Sequence, residues 1–475
     1  MTYKRCIIFL ADGSRPDVFE KLCEEGKLPH CERLFKKTGR FASVTSVFPS
    51  TTGPAYLPYL TGCYPGTCNF PGIRWFDKKA YGEGRPLWRR FRSYVGLESF
   101  FMNSDLQLKT PTLFQLFEHP VNIFSSINRG STFKANKTKM SRILYFYYAH
   151  LTDHWGLVDR AAYKKLLTAL DEDPDFAFVV LPAIDEYAHL SDPWGEKTLE
   201  AYRTLDDALG ELLDKLQKKN WLDETLISVV SDHGLSSTHS HFGVAHFLEE
   251  QGLKVFYYPK IFKWGFDVAS MVSGNGMLHL YFKDLKASKD KAWSGRTCFE
   301  ELRSQRRDLI ELLRKQEAID LMISQAKDGS VVIFNHKGFS RIFCKRGKIS
   351  YQVEEGIDPL GFPQLPQEMT DRESLHLSFE TSYPDVFAQA LQIFRSPRSG
   401  DLILSAKPGW DLRKRFEQHE HRSTHGGFAR EHMAVPFFIN HPLPAGPARS
   451  VDVFPTILKL MNKEIPASID GISLI

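Results

Sequence analysis

Ser228-Val-Val-Ser-Asp232-His233-Gly234 is the stretch that most constrains how this chain can fold. Residues 225–231 form an apolar, β-branched run that stops at a carboxylate, an imidazole and a glycine. Such a run predicts a strand buried on both faces, hence a parallel sheet covered by helices. In open sheets of that kind, ligands sit just beyond the carboxyl ends of the strands. Asp232 and His233 therefore fall where chemistry is expected, and the pair suits one divalent metal ion. Taken alone, the same residues read equally well as a turn with a capping Asp.

Other strands end in the same way. Residues 5–11 predict a buried strand that stops at Asp12-Gly13. Residues 176–184 predict another that stops at Asp185, and His189 follows four residues on. That spacing puts both side chains on one face of a helical turn, where they can share a metal. A periodic stripe from Leu199 to Leu216 then predicts a long helix before the strand at 225–231. Strand, helix and strand with short links make a βαβ unit and a parallel pair.

Residues 41–48 predict a strand that runs into Pro49-Ser50-Thr51-Thr52-Gly53-Pro54, then a helix over 55–60. Proline is favoured in a first helical turn, which puts Thr52 at or beside an N-cap. There it either only caps the helix or meets an anion held by the helix N-terminus. Residues 78–116 are basic and aromatic, and read as a solvated helix with an apolar face, or as a lid or lipid-facing surface. Residues 142–170, rich in tyrosine, read as helices packed on the core.

After His233 the pattern changes to short alternating strands with a charged helix over 298–324, and Asn335-His-Lys-Gly338 reads as a hairpin turn. This predicts an α+β cap over 238–420, inserted into a catalytic domain of 1–237 and 421–475. A strand at 401–406 is expected to return the chain to the main sheet. Ser423-Thr-His425-Gly-Gly follows, a histidine in a glycine turn.

The 475 residues are enough for a large core. A net charge of +4 leaves no nucleic-acid footprint. The seven cysteines form no C-x-x-C pair and read as reduced thiols, which predicts a cytoplasmic protein. No stretch approaches the ~20 apolar residues of a membrane span, so no transmembrane anchor is expected.

Asp12, Asp185 and Asp232 thus gather at one sheet edge with His189, His233 and His425. Three clustered carboxylates without cations would raise one another's pKa values. Two divalent ions remove that conflict, and six N/O ligands suit two zinc-like sites, with manganese as the alternative. Thr52 is the hydroxyl placed to meet them, and two metals about 4 Å apart form a clamp for phosphoryl transfer.

Asp12-Gly13, Phe48-Pro-Ser-Thr-Thr52-Gly-Pro-Ala-Tyr56, Thr61-Gly-Cys-Tyr-Pro65, Asp185-Glu-Tyr-Ala-His189, Ser231-Asp-His-Gly234 and His425-Gly426 occur in this order. In these motifs the chain resembles the alkaline phosphatase superfamily, within it the type I phosphodiesterase/nucleotide pyrophosphatase branch. The resemblance covers 4–235 and 424–474. It implies an α/β fold with a mostly parallel central sheet flanked by helices. It also implies hydrolysis of phosphodiester or pyrophosphate bonds in small-molecule or nucleotide substrates, through a phospho-threonine intermediate. By the resemblance Thr52 is the nucleophile and holds one metal with Asp12, Asp232 and His233, while Asp185, His189 and His425 hold the other.

Two departures stand out. Gly72-Ile-Arg74-Trp75 occupies the region where the family's nucleotide pyrophosphatases carry a phosphate-contacting Asn, so Arg74 is the candidate to replace it. Ala188 stands where the family has Gly. A phosphomonoesterase or phosphomutase of the same superfamily is the alternative enzyme, and a metal-stabilised binding protein without turnover is the alternative from another class.

Overall fold

The computed structural model describes residues 3–262, 264–288, 290–416 and 420–475. Its central sheet has six strands: β1 (Arg5–Ala11), β2 (Arg40–Thr45), β3 (Pro120–Ile123), β4 (Phe176–Leu181), β5 (Thr225–Val230) and β6 (Ala434–Ile439). They lie in the order β2-β6-β5-β1-β4-β3. β3, β4, β1 and β5 are parallel, and β6 runs antiparallel to both β5 and β2. The expected mostly parallel sheet is therefore present.

β1, β4 and β5 are buried at every position. That fits their unbroken runs of Ile, Val, Leu and Phe, because helices cover both faces of a parallel sheet. Helix α1 (Ala183–Leu190) and helix α2 (Glu196–Lys218) carry the chain from β4 towards β5. Of the stripe read from the sequence, Tyr202, Leu205, Leu209, Leu212 and Leu216 lie on the buried face of α2, and Leu199, at its start, is half-buried.

A second sheet has nine strands, all between Val255 and Ala406. The hairpin at 335–338 joins Val331–Phe334 to Gly338–Lys345 as expected. Two expectations fail here. The strand Leu402–Ala406 does not return to the central sheet; it pairs with Ile319–Gln325 on one side and Met277–Phe282 on the other. The chain rejoins the central sheet only at β6. The helix expected over 298–324 ends at Arg314, and Ile319–Gln325 is a strand.

A small third sheet pairs Ser236–His241 with Gly409–Asp411 and Ser423–Thr424. It ties the two ends of the second region together directly beside His425. Among the described residues no helix is long and apolar enough to cross a membrane.

Candidate active site

The three carboxylates meet at the carboxyl edge of the central sheet. Asp12 directly follows β1, and its amide still donates to Leu181 O at 3.0 Å. Asp232 lies two residues beyond β5 and is fully buried. Asp185 does not end a strand as read from the sequence. β4 stops at Leu181, because Pro182 has no amide proton for the ladder. Asp185 then falls in the first turn of α1, one turn before His189. Gly13 makes the approach possible: its φ is +70°, and a Cβ there would stand 2.8 Å from that of Asp185.

Thr52 caps nothing. Pro54–Tyr56 forms a 3₁₀ turn and Leu57–Thr61 one α turn, with Gly53 at the N-cap in a positive-φ conformation (+93°). The Thr52 hydroxyl instead lies 3.3 Å from Asp12 Oδ1 and 3.1 Å from His233 Nε2. The neighbouring hydroxyls are placed differently. Thr51 is fully buried, and Ser50 Oγ donates to Gly427 O at 2.9 Å.

Each histidine of the cluster is held from behind. Nδ1 of His189 lies 2.9 Å from Ser423 O, that of His233 3.2 Å from Gly234 O, and that of His425 3.1 Å from Ser50 O. A carbonyl can only accept, so each Nδ1 carries a proton and each Nε2 is the nitrogen turned to the cluster; on His233 and His425, held neutral by burial, it presents a lone pair. Backbone anchoring of this kind is how metal-binding imidazoles are fixed in tautomer and direction. His233 and His425 stack at 3.7 Å and 5°. A Cβ on Gly274 would lie 2.6 Å from His425 Nδ1, so the turn that packs behind this ring needs glycine.

Electrostatics mark the same place. Burial and the Asp185 charge push Asp12 above the usual carboxylate range. Burial, then Asp12 and Asp185, push Asp232 well above it. Burial also opposes the charge on Asp185, but His189, His425 and His233 outweigh it and hold that carboxyl low. Burial lowers His233 to about 4, which leaves it neutral at pH 7. Burial lowers His189 too, yet Asp185 beside it outweighs this and raises it to about 9.

The residues fit divalent metal ions. Asp185, His189 and His425 form one group whose ligand atoms lie within 4.8 Å of one another, and Asp12, Asp185 and His233 form a second. Asp185 belongs to both. Among the described residues, Asp185 Oδ1 and Asp232 Oδ2 are buried carboxylate oxygens with no hydrogen-bond partner. Burying such an oxygen is costly unless a cation meets it.

Among the described residues, Arg74 makes no hydrogen bond to those of the cluster. It opens the short strand Arg74–Phe76, where its guanidinium donates to Ser93 Oγ at 3.1 Å and to Val272 O at 3.1 Å. It lines a cavity with His246, Tyr258, Ser270 and Arg413. Val272 stands two residues before Gly274, so this cavity adjoins the turn behind His425.

Two neighbours of the cluster escaped the sequence reading. Tyr56 donates to Asp12 Oδ2 at 2.7 Å and fixes that carboxylate. The His421 ring lies 4.4 Å from that of His189, and its Nδ1 is 3.1 Å from the Asn275 amide nitrogen. The four-residue spacing from Thr52 to Tyr56 and from His421 to His425 was the available signal.

The profile of the family "Type I phosphodiesterase / nucleotide pyrophosphatase" matches residues 6–428. The match runs through 238–420, which lay outside the resemblance read from the sequence. No curated protein matches the chain. Among solved structures, phosphonoacetate hydrolase from Sinorhizobium meliloti 1021, in complex with phosphonoformate, is similar with a TM-score of 0.56. It is 15% identical, over 97% of this chain and 96% of that one. Murine ectonucleotide pyrophosphatase/phosphodiesterase 5 is similar with a TM-score of 0.55 and 14% identity, over 98% of this chain and 96% of that one. The fold is that of the alkaline phosphatase superfamily. The chain belongs to the type I phosphodiesterase/nucleotide pyrophosphatase family and is a phosphoric ester hydrolase of that type.

Proposed function

We propose that the protein hydrolyses phosphodiester or pyrophosphate bonds of small molecules through a covalent phospho-Thr52 intermediate. The observation that carries this reading is the Thr52 hydroxyl, partly exposed and within 3.3 Å of both Asp12 and His233. Asp12, Thr52, Asp232 and His233 would hold one divalent ion, and Asp185, His189 and His425 the other. When bound, these ions supply charge stabilisation to the attacking and leaving oxygens. The mixed nitrogen and oxygen donor set suits zinc, with manganese as the alternative.

Thr52 Oγ gives up its proton to Asp12 Oδ1, to which it already donates, and forms a bond to phosphorus. The bond from phosphorus to the leaving oxygen breaks, and that oxygen departs with a proton. Water then cleaves the phospho-threonine and restores the hydroxyl. Tyr56 keeps Asp12 in place throughout, and the three backbone carbonyls keep the imidazoles aimed. We assign selection of the leaving group to the inserted region 238–420. The seven cysteines are free thiols, five of them buried, which supports a cytoplasmic location.

Turnover of bis-p-nitrophenyl phosphate against p-nitrophenyl phosphate tests the reading. The diester should be preferred by about tenfold or more in kcat/KM, a difference worth about 1.4 kcal/mol of transition-state binding. Preference for the monoester would make the protein a phosphatase. Phosphonoacetate belongs in the same panel, because one structural relative is a phosphonoacetate hydrolase.

Arg74 is assigned to substrate binding through its guanidinium, a good phosphate partner. Arg74→Ala should raise KM about tenfold, with metal content unchanged by elemental analysis. Wild-type kinetics in that variant would make Arg74 a structural residue that ties Ser93 to Val272.

A further inference from the structure

The helix Ser141–Thr152 is apolar on both faces. Its inner face packs Tyr145 on Phe124 and Phe146 on Trp155. Its outer face, Leu144, Tyr147, Tyr148 and Leu151, follows the spacing i, i+3, i+4, i+7 and points into solvent. Leu144 is 72% exposed and Leu151 75%. A helix that is apolar all round is normally buried all round. The core packing expected from the sequence thus holds for one face only.

The stripe does not stand alone. The 3₁₀ helix Gly96–Phe101 lies against it: a Cβ on Gly96 would be 3.7 Å from the Tyr147 hydroxyl, and Arg142 Nη1 is 3.4 Å from Ser99 Oγ. This segment adds Leu97 and Phe100, both exposed. Single exposed apolar side chains are ordinary, but a contiguous set marks an interaction surface.

The surroundings are basic. Lys134 and Lys139 are exposed, Lys137 is half-buried, Arg129 and Arg142 donate to backbone carbonyls beneath the patch, and Asp153 caps the end of the helix. Glu172 faces Lys134 and Lys137, at 3.8 and 2.7 Å, and Glu98 lies within the Gly96–Phe101 helix. Lys139 Nζ lies over the exposed Phe133 ring at 5.1 Å. On the other side, Arg89 and the exposed Trp88 share a cleft with Phe101. Exposed leucine and aromatic side chains with a basic rim are the pattern of a surface that lies in the bilayer interface without spanning it. A second copy of the chain would instead bring one basic rim against another.

The patch is also close to the cluster. Met102 follows Phe101, and its Cε would lie 3.4 Å from a Cβ on Gly53, the residue after Thr52. We propose that this face docks on a bilayer containing anionic phospholipid, with the Thr52 loop packed behind it through Met102.

Sedimentation with vesicles tests this independently of which phosphoester is cleaved. Vesicles of phosphatidylcholine with added phosphatidylserine should bind the wild-type protein about tenfold more tightly than phosphatidylcholine alone. Salt should weaken that binding. Leu144→Asp combined with Leu151→Asp should lower it about tenfold or more. Turnover of a soluble diester should be unchanged in that variant, which shows that it is folded. Lys139→Glu with Arg89→Glu should erase the preference for phosphatidylserine. Equal binding by wild type and the double Asp variant, or no binding by wild type to either vesicle, would overturn the proposal. So would a wild-type dimer that the double Asp variant converts to a monomer without any vesicle binding, since the face would then serve self-association.

Discussion

Thr52→Ala should lower kcat by about 10³-fold or more, because the variant has no oxygen to form the covalent bond to phosphorus. The metal content should stay that of the wild type, since Asp12, Asp232 and His233 remain. Folding should change little. Thr52 caps no helix, and Tyr56 still donates to Asp12 Oδ2, so the loss is about 1 kcal/mol. Thr52→Ser keeps a hydroxyl at the same position and should retain part of the activity. Steady-state turnover and a urea melt on the three proteins check all of this. Near wild-type turnover in Thr52→Ala, with an inactive Thr51→Ala, would move the nucleophile by one residue. The burial of Thr51 argues against that outcome.

Asp185→Asn should be equally severe for a different reason. Asp185 is the carboxylate shared by both candidate metal groups. The amide removes the negative charge and halves the acceptor capacity of the side chain. Metal content should fall from two equivalents to one or fewer, and kcat should fall by about 10³-fold or more. Elemental analysis with kinetics checks it. Chelation of the wild-type protein should abolish activity in the same way, and full activity in a strong chelator would refute the assignment.

Much of the fold was legible because parallel strands are buried on both faces. Residues 5–11, 176–181 and 225–230 therefore carry unbroken apolar runs, and their polar stops name the chemistry-bearing edge. Asp12, Asp232 and His233 could be placed on that basis alone. Asp185 could be grouped with His189 by helical spacing, but the boundary at Pro182 was overrun. Ala183 and Ile184 continue the apolar run into α1, and an apolar run does not say where a strand becomes a helix.

The second sheet was less legible. Residues 402–406 form an apolar run like that of a central strand, and sequence pattern carries no record of which sheet a strand joins. The helix predicted over 298–324 absorbed all but the last residue of the strand Ile319–Gln325 for a related reason, since a short segment mixing Ile, Leu, Met and Asp fits both periods. Tyr56 and His421 were missed because neither ends a strand. Their partners, Asp12, His189 and Asn275, come from distant parts of the chain and meet only in the fold.

The claim that organises this account is that Thr52 forms a covalent bond to phosphorus. Hydrolysis of a phosphodiester chiral at phosphorus by isotopic labelling tests it most directly, because each in-line displacement inverts the centre. Two displacements, first by Thr52 and then by water, predict net retention of configuration. Net inversion would mean a single direct attack by water and would contradict the phospho-Thr52 mechanism.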